Sequence, residues 1–202
     1  MKHNSTRQKI QDSAGTLFTR HGFENTTMQM IADQVGIRAP SLYYHFPSKE
    51  HLLCEYLNTA FSELLSRTRQ LVSRAGDDPI ERLTAFVRGF ALMQISVAQD
   101  APFLDSYMFG SKKSTSPLPL EKRDELTKKQ RQFIDLLRGI LTDGKQQGLF
   151  QYINLKVTAF AIVGLIDHVS YWFKEGGERS ESEVASEFCS LVLRSLSVPQ
   201  ND

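Results

Sequence analysis

A short run of polar, aromatic and basic side chains near the N-terminus carries the most distinctive chemistry of this 202-residue chain. Arg38 can form a bidentate pair with guanine O6 and N7. The Tyr43 hydroxyl and the Lys49 ammonium are suitable donors to phosphate oxygens. Thr27 offers a hydroxyl and a helix N-terminal amide to a further phosphate. Together these residue types predict contacts with the backbone and the bases of DNA.

Two short helices are predicted to position these side chains. Thr26-Thr27 are natural N-caps for one helix, Gly36 breaks it, and Pro40 suits the first turn of the next. Ala32 is small enough for a close crossing of the two helices. This pattern is typical of a helix-turn-helix, whose second helix enters the major groove. A purely structural helical hairpin is the alternative, because turns with small residues are common.

The outer face of the second of these helices favours the DNA-binding interpretation. A helix of about seven residues is not stable alone, so its aromatic side chains require a partner. For Tyr44 the alternative is packing against the helix that follows.

The rest of the chain is predicted to be helical throughout, with no sustained alternation of the kind that indicates strands. The first helix runs from about Thr6 to His21 and ends at Gly22, and Ser48 caps a fourth. The last two helices are predicted at about Asn154–Lys174 and Ser182–Leu196. The expected fold class is all-α, with about nine helices.

Composition excludes several classes of protein. Hydrophobic residues make up 41% and charged residues 23%, with a net charge of +1, as in ordinary soluble domains. Cys54 and Cys189 lie far apart, which excludes a disulfide scaffold and a zinc site. The longest uncharged apolar stretch, Val157–Ile166, is too short to span a membrane. There is no secretory signal, so a cytoplasmic location is expected.

Motifs for catalysis are also missing from the sequence. It contains no Gly-rich phosphate loop, no HExxH, no GxSxG and no Cys-His grouping at ligand spacing. We therefore expect neither enzymatic activity nor a cofactor or metal. An all-α enzyme and a helical adaptor that does not bind DNA are kept as alternatives.

The run TTMQMIADQVGIRAPSLYYHFPSKEHLL, with the preceding AGTLFTRHGFENTT, resembles the DNA-binding domain of the tetracycline-repressor (TetR) family. The resemblance covers residues 7 to about 53. It implies that the residues at or near DNA are Thr27, Arg38, Ala39, Pro40, Ser41, Tyr43, Tyr44, His45 and Lys49. Many members have a polar or basic residue followed by glycine where this chain has Ala39-Pro40. Base readout is therefore expected to depend more on Arg38, Ser41 and Tyr44.

The resemblance further implies two domains: an N-terminal three-helix DNA-binding domain, residues 1–53, and a larger effector-binding and dimerisation domain, residues 54–202. The implied protein is a homodimeric repressor that a small effector releases from a palindromic double-stranded operator, with no membrane partner. The last two helices are expected to form the dimer interface, through Phe160, Val163, Phe188, Leu191 and Val192.

An effector pocket is expected among the aromatic residues and methionines of the C-terminal part. His168 and Trp172 are four apart and would share one helical face, placing a polar group beside an indole. The full set of candidates is Met93, Phe103, Tyr107, Met108, Phe109, Phe133, His168 and Trp172. The tail of the sequence is similar to members that regulate lipid or acyl-CoA catabolism, so a lipid-like or acyl-thioester effector is expected. For each residue the alternative is that it fills the core.

Overall fold

The computed structural model describes residues 6–100, 118 and 120–197, and within them all regular structure is helical. The described residues form eight α-helices, which confirms the all-α prediction and is close to the nine helices expected. They are α1 (Thr6–Asn25), α2 (Met28–Val35), α3 (Ala39–His45), α4 (Lys49–Arg74), α5 (Pro79–Asp100), α6 (Leu120–Gln146), α7 (Leu155–Asp167) and α8 (Glu181–Leu196). A 3₁₀ helix, His168–Tyr171, follows α7 directly. The predicted segment that begins at Pro102 lies outside the described residues.

Local capping interactions fix the boundaries of the N-terminal helices. The Thr27 hydroxyl accepts a hydrogen bond from the Met30 amide, and Gly36 ends α2 with φ of 77°. The left-handed conformation at Gly36 is one that glycine adopts without a steric penalty. Ser48 caps α4 in the same manner, by accepting from the His51 amide at 3.3 Å. These boundaries confirm the predictions made from the sequence.

Gly22 interrupts α1 without ending it. Its φ of 76° and ψ of 162° are not helical, and a last turn continues to Asn25. The buried Thr26 holds this bend, because its hydroxyl lies within hydrogen-bonding distance of the Leu17 carbonyl (3.2 Å) and the Gly22 carbonyl (2.8 Å). The bend turns the chain directly into the Thr27 cap of α2.

Helix α5 is the centre of the C-terminal part and packs against α4, α6 and α8. Phe86 and Phe90 of α5 enclose Phe133 of α6, with ring centroids 4.9 and 5.0 Å from it. All three side chains are fully buried. Aromatic pairs at this distance stabilise a core beyond their area of contact, so this cluster fixes α6 on α5.

The prediction of one continuous helix over Asn154–Lys174 is wrong beyond Asp167, where the α-helix ends. The chain tightens there into the 3₁₀ helix, and the Ser170 hydroxyl donates to the Asp167 carbonyl at 3.1 Å. A serine that bonds to the preceding backbone competes with the α-helical ladder. The final helix is close to its prediction, and Ser180 and Glu183 form a capping box at its start.

Candidate nucleic-acid interface and effector cleft

Most of the residues predicted to contact DNA form one accessible surface around α3. Six of the nine are exposed: Thr27, Arg38, Pro40, Ser41, Tyr43 and Tyr44. Ala39, His45 and Lys49 are half-buried. Leu42, by contrast, is fully buried on the opposite side of α3 and holds the helix against the domain. The structure therefore leaves most of the predicted side chains exposed and fully buries none of them.

The aromatic residues of this face have no packing role in the subunit. Tyr44 is 87% exposed, which excludes the alternative that it packs against α4. Its only described ring contact is edge-on with the neighbouring His45, at a centroid distance of 5.5 Å. Tyr43 is 51% exposed. Large exposed aromatics on a short helix are typical of a binding surface.

Arg38 is the freest cation on this surface. It occupies the N-cap position of α3, and within the described residues its side chain makes no hydrogen bond or ion pair. All five guanidinium N–H donors are thus available to an acceptor outside the protein. An unpaired, exposed arginine at the start of α3 fits the bidentate recognition of a base.

Thr27 presents the start of α2. Its hydroxyl oxygen accepts from the Met30 amide at 3.2 Å, which leaves the hydroxyl proton free to donate. The first amides of a helix have no carbonyl partner within the helix and carry a partial positive charge. A phosphate beside Thr27 would therefore meet a hydroxyl and a helix N-terminus together.

Lys49 is different, because its ammonium is already engaged within the protein. Its Nζ donates to the carbonyls of Phe23 (2.7 Å) and Glu24 (3.3 Å) at the end of α1. It also lies 4.3 Å from the centroid of the Phe23 ring. Lys49 therefore holds α4 to α1, a role that the sequence analysis missed, and one of its three protons is left for another acceptor.

The four described residues among those predicted for effector binding do not form a single site. Phe133 belongs to the buried aromatic cluster, and Met93 is half-buried against the core. His168 and Trp172 are exposed and do not share a helical face. In a 3₁₀ helix the side chains at i and i+3 are aligned; accordingly, His168 stacks on Tyr171 at 4.9 Å. Four further candidates lie outside the described residues: Phe103, Tyr107, Met108 and Phe109.

A cleft of about 470 Å³ lies between α6 and α7. Apolar side chains line part of it, Ile134, Phe160 and Val163 among them. Three cations, Arg131, Arg138 and Lys156, and two carboxylates, Asp135 and Asp167, line the rest. An amphipathic cleft with more positive than negative groups is suited to an anionic ligand that also has an apolar part.

Both carboxylates of this cleft have partners within the protein. Arg138 pairs with Asp135 at 3.1 Å, and the Gln94 amide donates to Asp167. Within the described residues, Arg131 and Lys156 make no ion pair, so their charge is available to a ligand. The buried Arg138 Nε and Gln94 Oε1 atoms also have no hydrogen-bond partner. Buried polar atoms without partners mark places where a ligand or water can bind.

The exposed apolar surface of α7 and α8 is larger than isolated surface residues would explain. Side chains between 45% and 66% exposed are Val157, Phe160, Leu165, Trp172 and Leu191. Val163, Phe188 and Val192, which the sequence also predicted at a subunit interface, are buried within the subunit. Several large exposed apolar side chains in one part of the chain are typical of a protein–protein contact.

Three further properties concern the described part of the chain. Within it, no three His, Cys, Asp or Glu side chains are grouped closely enough to hold a metal ion. None of its helices combines the length and the apolar composition needed to cross a lipid bilayer. Cys54 and Cys189 are buried and form no disulfide with each other, and burial raises the pKa of the Cys189 thiol.

Two family models match the chain. One, described as bacterial regulatory proteins, tetR family, matches residues 10–56. The other, described as tetracyclin repressor-like, C-terminal domain, matches residues 76–196. The first contains the whole exposed face of α3, and the second contains the cleft and the apolar surface of α7 and α8.

Curated relatives align over nearly the whole length. The HTH-type transcriptional repressor KstR2 of Mycolicibacterium smegmatis is 29% identical over an alignment of 207 positions, which covers 98% of this chain and 94% of that protein. KstR2 of Rhodococcus jostii is 29% identical over 204 residues, covering 96% and 93%.

Solved structures share the fold. The regulator PfmR of Thermus thermophilus superposes with a TM-score of 0.77 and 27% identity, over 96% of this chain and 98% of that one. AibR in complex with isovaleryl coenzyme A and operator DNA gives 0.74 and 25%, over 93% and 97%. KstR2 of Mycobacterium tuberculosis, at 22% identity, has the same fold with a TM-score of 0.79, over 98% of each chain.

Proposed function

Because the chain belongs to the tetracycline-repressor (TetR) family of bacterial regulatory proteins, we propose that it is a homodimeric repressor that binds a palindromic operator and is released by a small effector. Its curated relatives are transcriptional repressors, so the chain is a regulator and not an enzyme. The proposal assigns DNA binding to residues 1–53 and effector binding and dimerisation to 54–202. The proposal also places the protein in the cytoplasm, where the DNA is.

The observation that carries the proposal is the exposed and unpaired face of α3. Arg38 has free donors for a guanine, and Ser41 and Tyr44 extend the same face toward neighbouring bases. Thr27 and Tyr43 flank it with hydroxyl groups for phosphates. We assign sequence recognition to the first three residues and placement on the duplex to the other two, together with the remaining proton of Lys49.

The exposed apolar surface of α7 and α8 supports the homodimer. Phe160 is 51% and Leu191 54% exposed, and both are expected to become buried against the same helices of a second subunit. A contact of this type has two-fold symmetry, which suits a palindromic operator. The two α3 helices would then enter successive major grooves about 34–36 Å apart.

The cleft between α6 and α7 supports an effector that is both anionic and apolar. Arg131 and Lys156 have free positive charge for phosphate or carboxylate groups, and Ile134 and Val163 form an apolar wall. An acyl-thioester of coenzyme A combines these two properties, and AibR, which has the same fold, is known in complex with isovaleryl coenzyme A and operator DNA. We propose this class of effector for this chain.

Selection from random duplexes tests the DNA-binding function. The protein should enrich a palindromic sequence, and binding should weaken steeply with salt because phosphate contacts release counterions. A helical adaptor would enrich no sequence. With the selected duplex, Arg38→Ala should lose about 1–3 kcal/mol per subunit and discriminate less between sequences.

Arg69→Ala is the matched control for Arg38→Ala. Arg69 is also exposed, but it lies on α4 away from the face of α3. The control should bind the selected duplex like the wild-type protein. Equal losses in the two variants would contradict the role of Arg38 in sequence recognition.

Titration of the operator complex with acyl-coenzyme A thioesters of increasing chain length tests the effector. Release of DNA should require both parts of the ligand, so free coenzyme A and the free fatty acid should release less. Lys156→Met should weaken the response to the thioester without changing DNA binding. Release by an uncharged or cationic compound alone would exclude this class of effector.

A further inference from the structure

One side chain of α1 contacts both the last turn of α3 and the side of α4. The Arg7 guanidinium donates from Nη1 to the His45 carbonyl at 3.0 Å. Its Nε donates to Glu55 Oε2 at 3.1 Å, and its Nη2 pairs with the other carboxylate oxygen of Glu55. The guanidinium also lies 4.4 Å from the centroid of the Phe46 ring. Arg7 of α1 thus contacts both α3 and α4, at residues 38 and 48 positions further along the chain.

The contact falls where α3 most needs support. Helix α3 has seven residues and its last carbonyls lack partners within the helix. A positive charge at a helix C-terminus is favourable because it faces the negative end of the helix dipole. His45 directly follows Tyr44 of the proposed DNA-binding face. The orientation of that face therefore depends on how the end of α3 is held.

The planar geometry of arginine suits this position. One guanidinium can bind a carboxylate with two donors and still direct a further donor to a third atom. A lysine has a single nitrogen and would have to share it between His45 and Glu55. The chemistry of the site thus requires arginine rather than positive charge alone.

Helix α4 is held equally firmly on both sides of Glu55. On one side, a Cβ atom at Gly15 of α1 would lie 2.6 Å from the Tyr56 ring, so only glycine permits this approach. On the other side, Lys129 of α6 donates to the Asn58 carbonyl at 2.9 Å and lies 2.7 Å from the Ser62 hydroxyl. The segment of α4 that carries Glu55 is therefore fixed to the C-terminal helices.

We propose that Arg7 is a positioning residue for DNA binding, which fixes the end of α3 to α4 so that the two helices move as one. This inference rests on the proposed function. When an effector displaces α4, the contact between Arg7 and Glu55 transmits the movement to α3, which contacts the bases. Arg7 itself needs no contact with DNA in this role.

Amide hydrogen exchange of the full-length protein tests the proposal without DNA. In Arg7→Gln, the amides of the last turn of α3, Phe46 among them, should exchange about tenfold faster, because a charge-assisted hydrogen bond is lost. Amides in the middle of α1, around Phe18, should keep the wild-type rate. Faster exchange across α1 and α3 alike would show a general loss of structure and overturn the proposal.

The operator duplex obtained by selection provides the second measurement. Arg7→Gln should bind it about tenfold more weakly. Arg67→Gln is the control, because Arg67 forms an exposed ion pair with Glu63 on α4 and lies apart from α3. This control should change neither the operator affinity nor the exchange in α3.

The exchanged pair Arg7→Glu with Glu55→Arg separates positioning from simple stabilisation. It keeps opposite charges between α1 and α4, but a carboxylate at position 7 has no proton to donate to the His45 carbonyl. Operator affinity and exchange in α3 should therefore stay as poor as in Arg7→Gln. Recovery of both to wild-type values would overturn the proposal. Absence of DNA binding by the wild-type protein would instead contradict the proposed function, while the exchange rates would still decide whether Arg7 anchors α3.

Discussion

Replacing Lys49 with methionine separates the two roles that this side chain could have. Methionine keeps the apolar stem but removes the ammonium that lies 2.7 Å from the Phe23 carbonyl and 4.3 Å from the Phe23 ring centroid. We expect Lys49→Met to lower both the stability of the protein and its affinity for every duplex. The two effects have different causes and can be measured independently.

The size of the stability loss follows from the contacts. A hydrogen bond to a charged donor contributes roughly 1.5–3 kcal/mol, and releasing a long side chain returns part of this as conformational entropy. The Phe23 carbonyl is not left without a partner, because the Thr26 amide also donates to it at 3.3 Å. The net loss should therefore be about 1–2 kcal/mol, which lowers Tm by about 2–8 °C in a chain of this size.

The DNA effect is measured as the slope of log K against log salt concentration. Each phosphate contact that is lost reduces this slope by about 0.9, hence by about 1.8 for a dimer. Lys174→Met is the control, because Lys174 is exposed far along the chain from α3; it should leave Tm and slope unchanged. An unchanged Tm in Lys49→Met would refute the reasoning about the end of α1, and an unchanged slope would remove Lys49 from the DNA contacts.

Four other substitutions test the packing and the caps of the C-terminal part. Phe133→Ala should cost about 3–5 kcal/mol in denaturant unfolding because it opens a cavity in a fully buried cluster; a small loss would mean that Phe133 lines a pocket instead. Phe160→Glu should dissociate the dimer in sedimentation while the subunit stays helical by circular dichroism, whereas Phe188→Glu, at a position only 6% exposed, should unfold it. The Ser180 backbone amide and hydroxyl lower the pKa of Glu183. The carboxylate therefore stabilises the start of α8 above its unfolded-state pKa, and this contribution is lost as the pH falls through the lower folded-state value. NMR titration should find that Ser180→Ala raises the pKa of Glu183 toward its ordinary value, and an unchanged pKa would contradict the capping box.

The sequence was sufficient wherever the structure depends on neighbouring residues. The caps at Thr27 and Ser48 and the left-handed Gly36 are decided within three or four residues, and the structure confirms them. The exposed face of α3 could also be predicted, because Leu42 alone among its central residues is apolar enough to be buried. Local rules of capping and periodicity thus account for most of the N-terminal helices.

Long-range contacts were not predictable from the pattern. Arg7 and Glu55 meet across 48 positions, and nothing in the residues around either one indicates the other. The end of α7 at Asp167 was missed for a related reason, because the apolar periodicity continues into the 3₁₀ helix while its geometry changes. Phe133 was a candidate for the pocket with the core as the alternative, and only its position between α5 and α6 distinguishes the two.

Helix α4 packs against α1 at one end and against α5 and α6 further along, so under the proposed function it can carry a displacement from the effector cleft to the DNA-binding helices. It starts at Lys49 beside α1 and α3 and ends at Arg74 among the C-terminal helices. Its 26 residues span roughly 39 Å at 1.5 Å per residue. A tilt of only about 5° at one end would move the other end by roughly 3 Å over this length. Because Arg7 fixes α3 to α4, the exposed face of α3 would move by a similar amount. In a dimer the displacements of the two α3 helices would add, and the distance between these helices would no longer match successive major grooves. An effector in the cleft beside α6 needs no contact with the DNA-binding helices, provided that it binds the tilted arrangement more tightly than the untilted one.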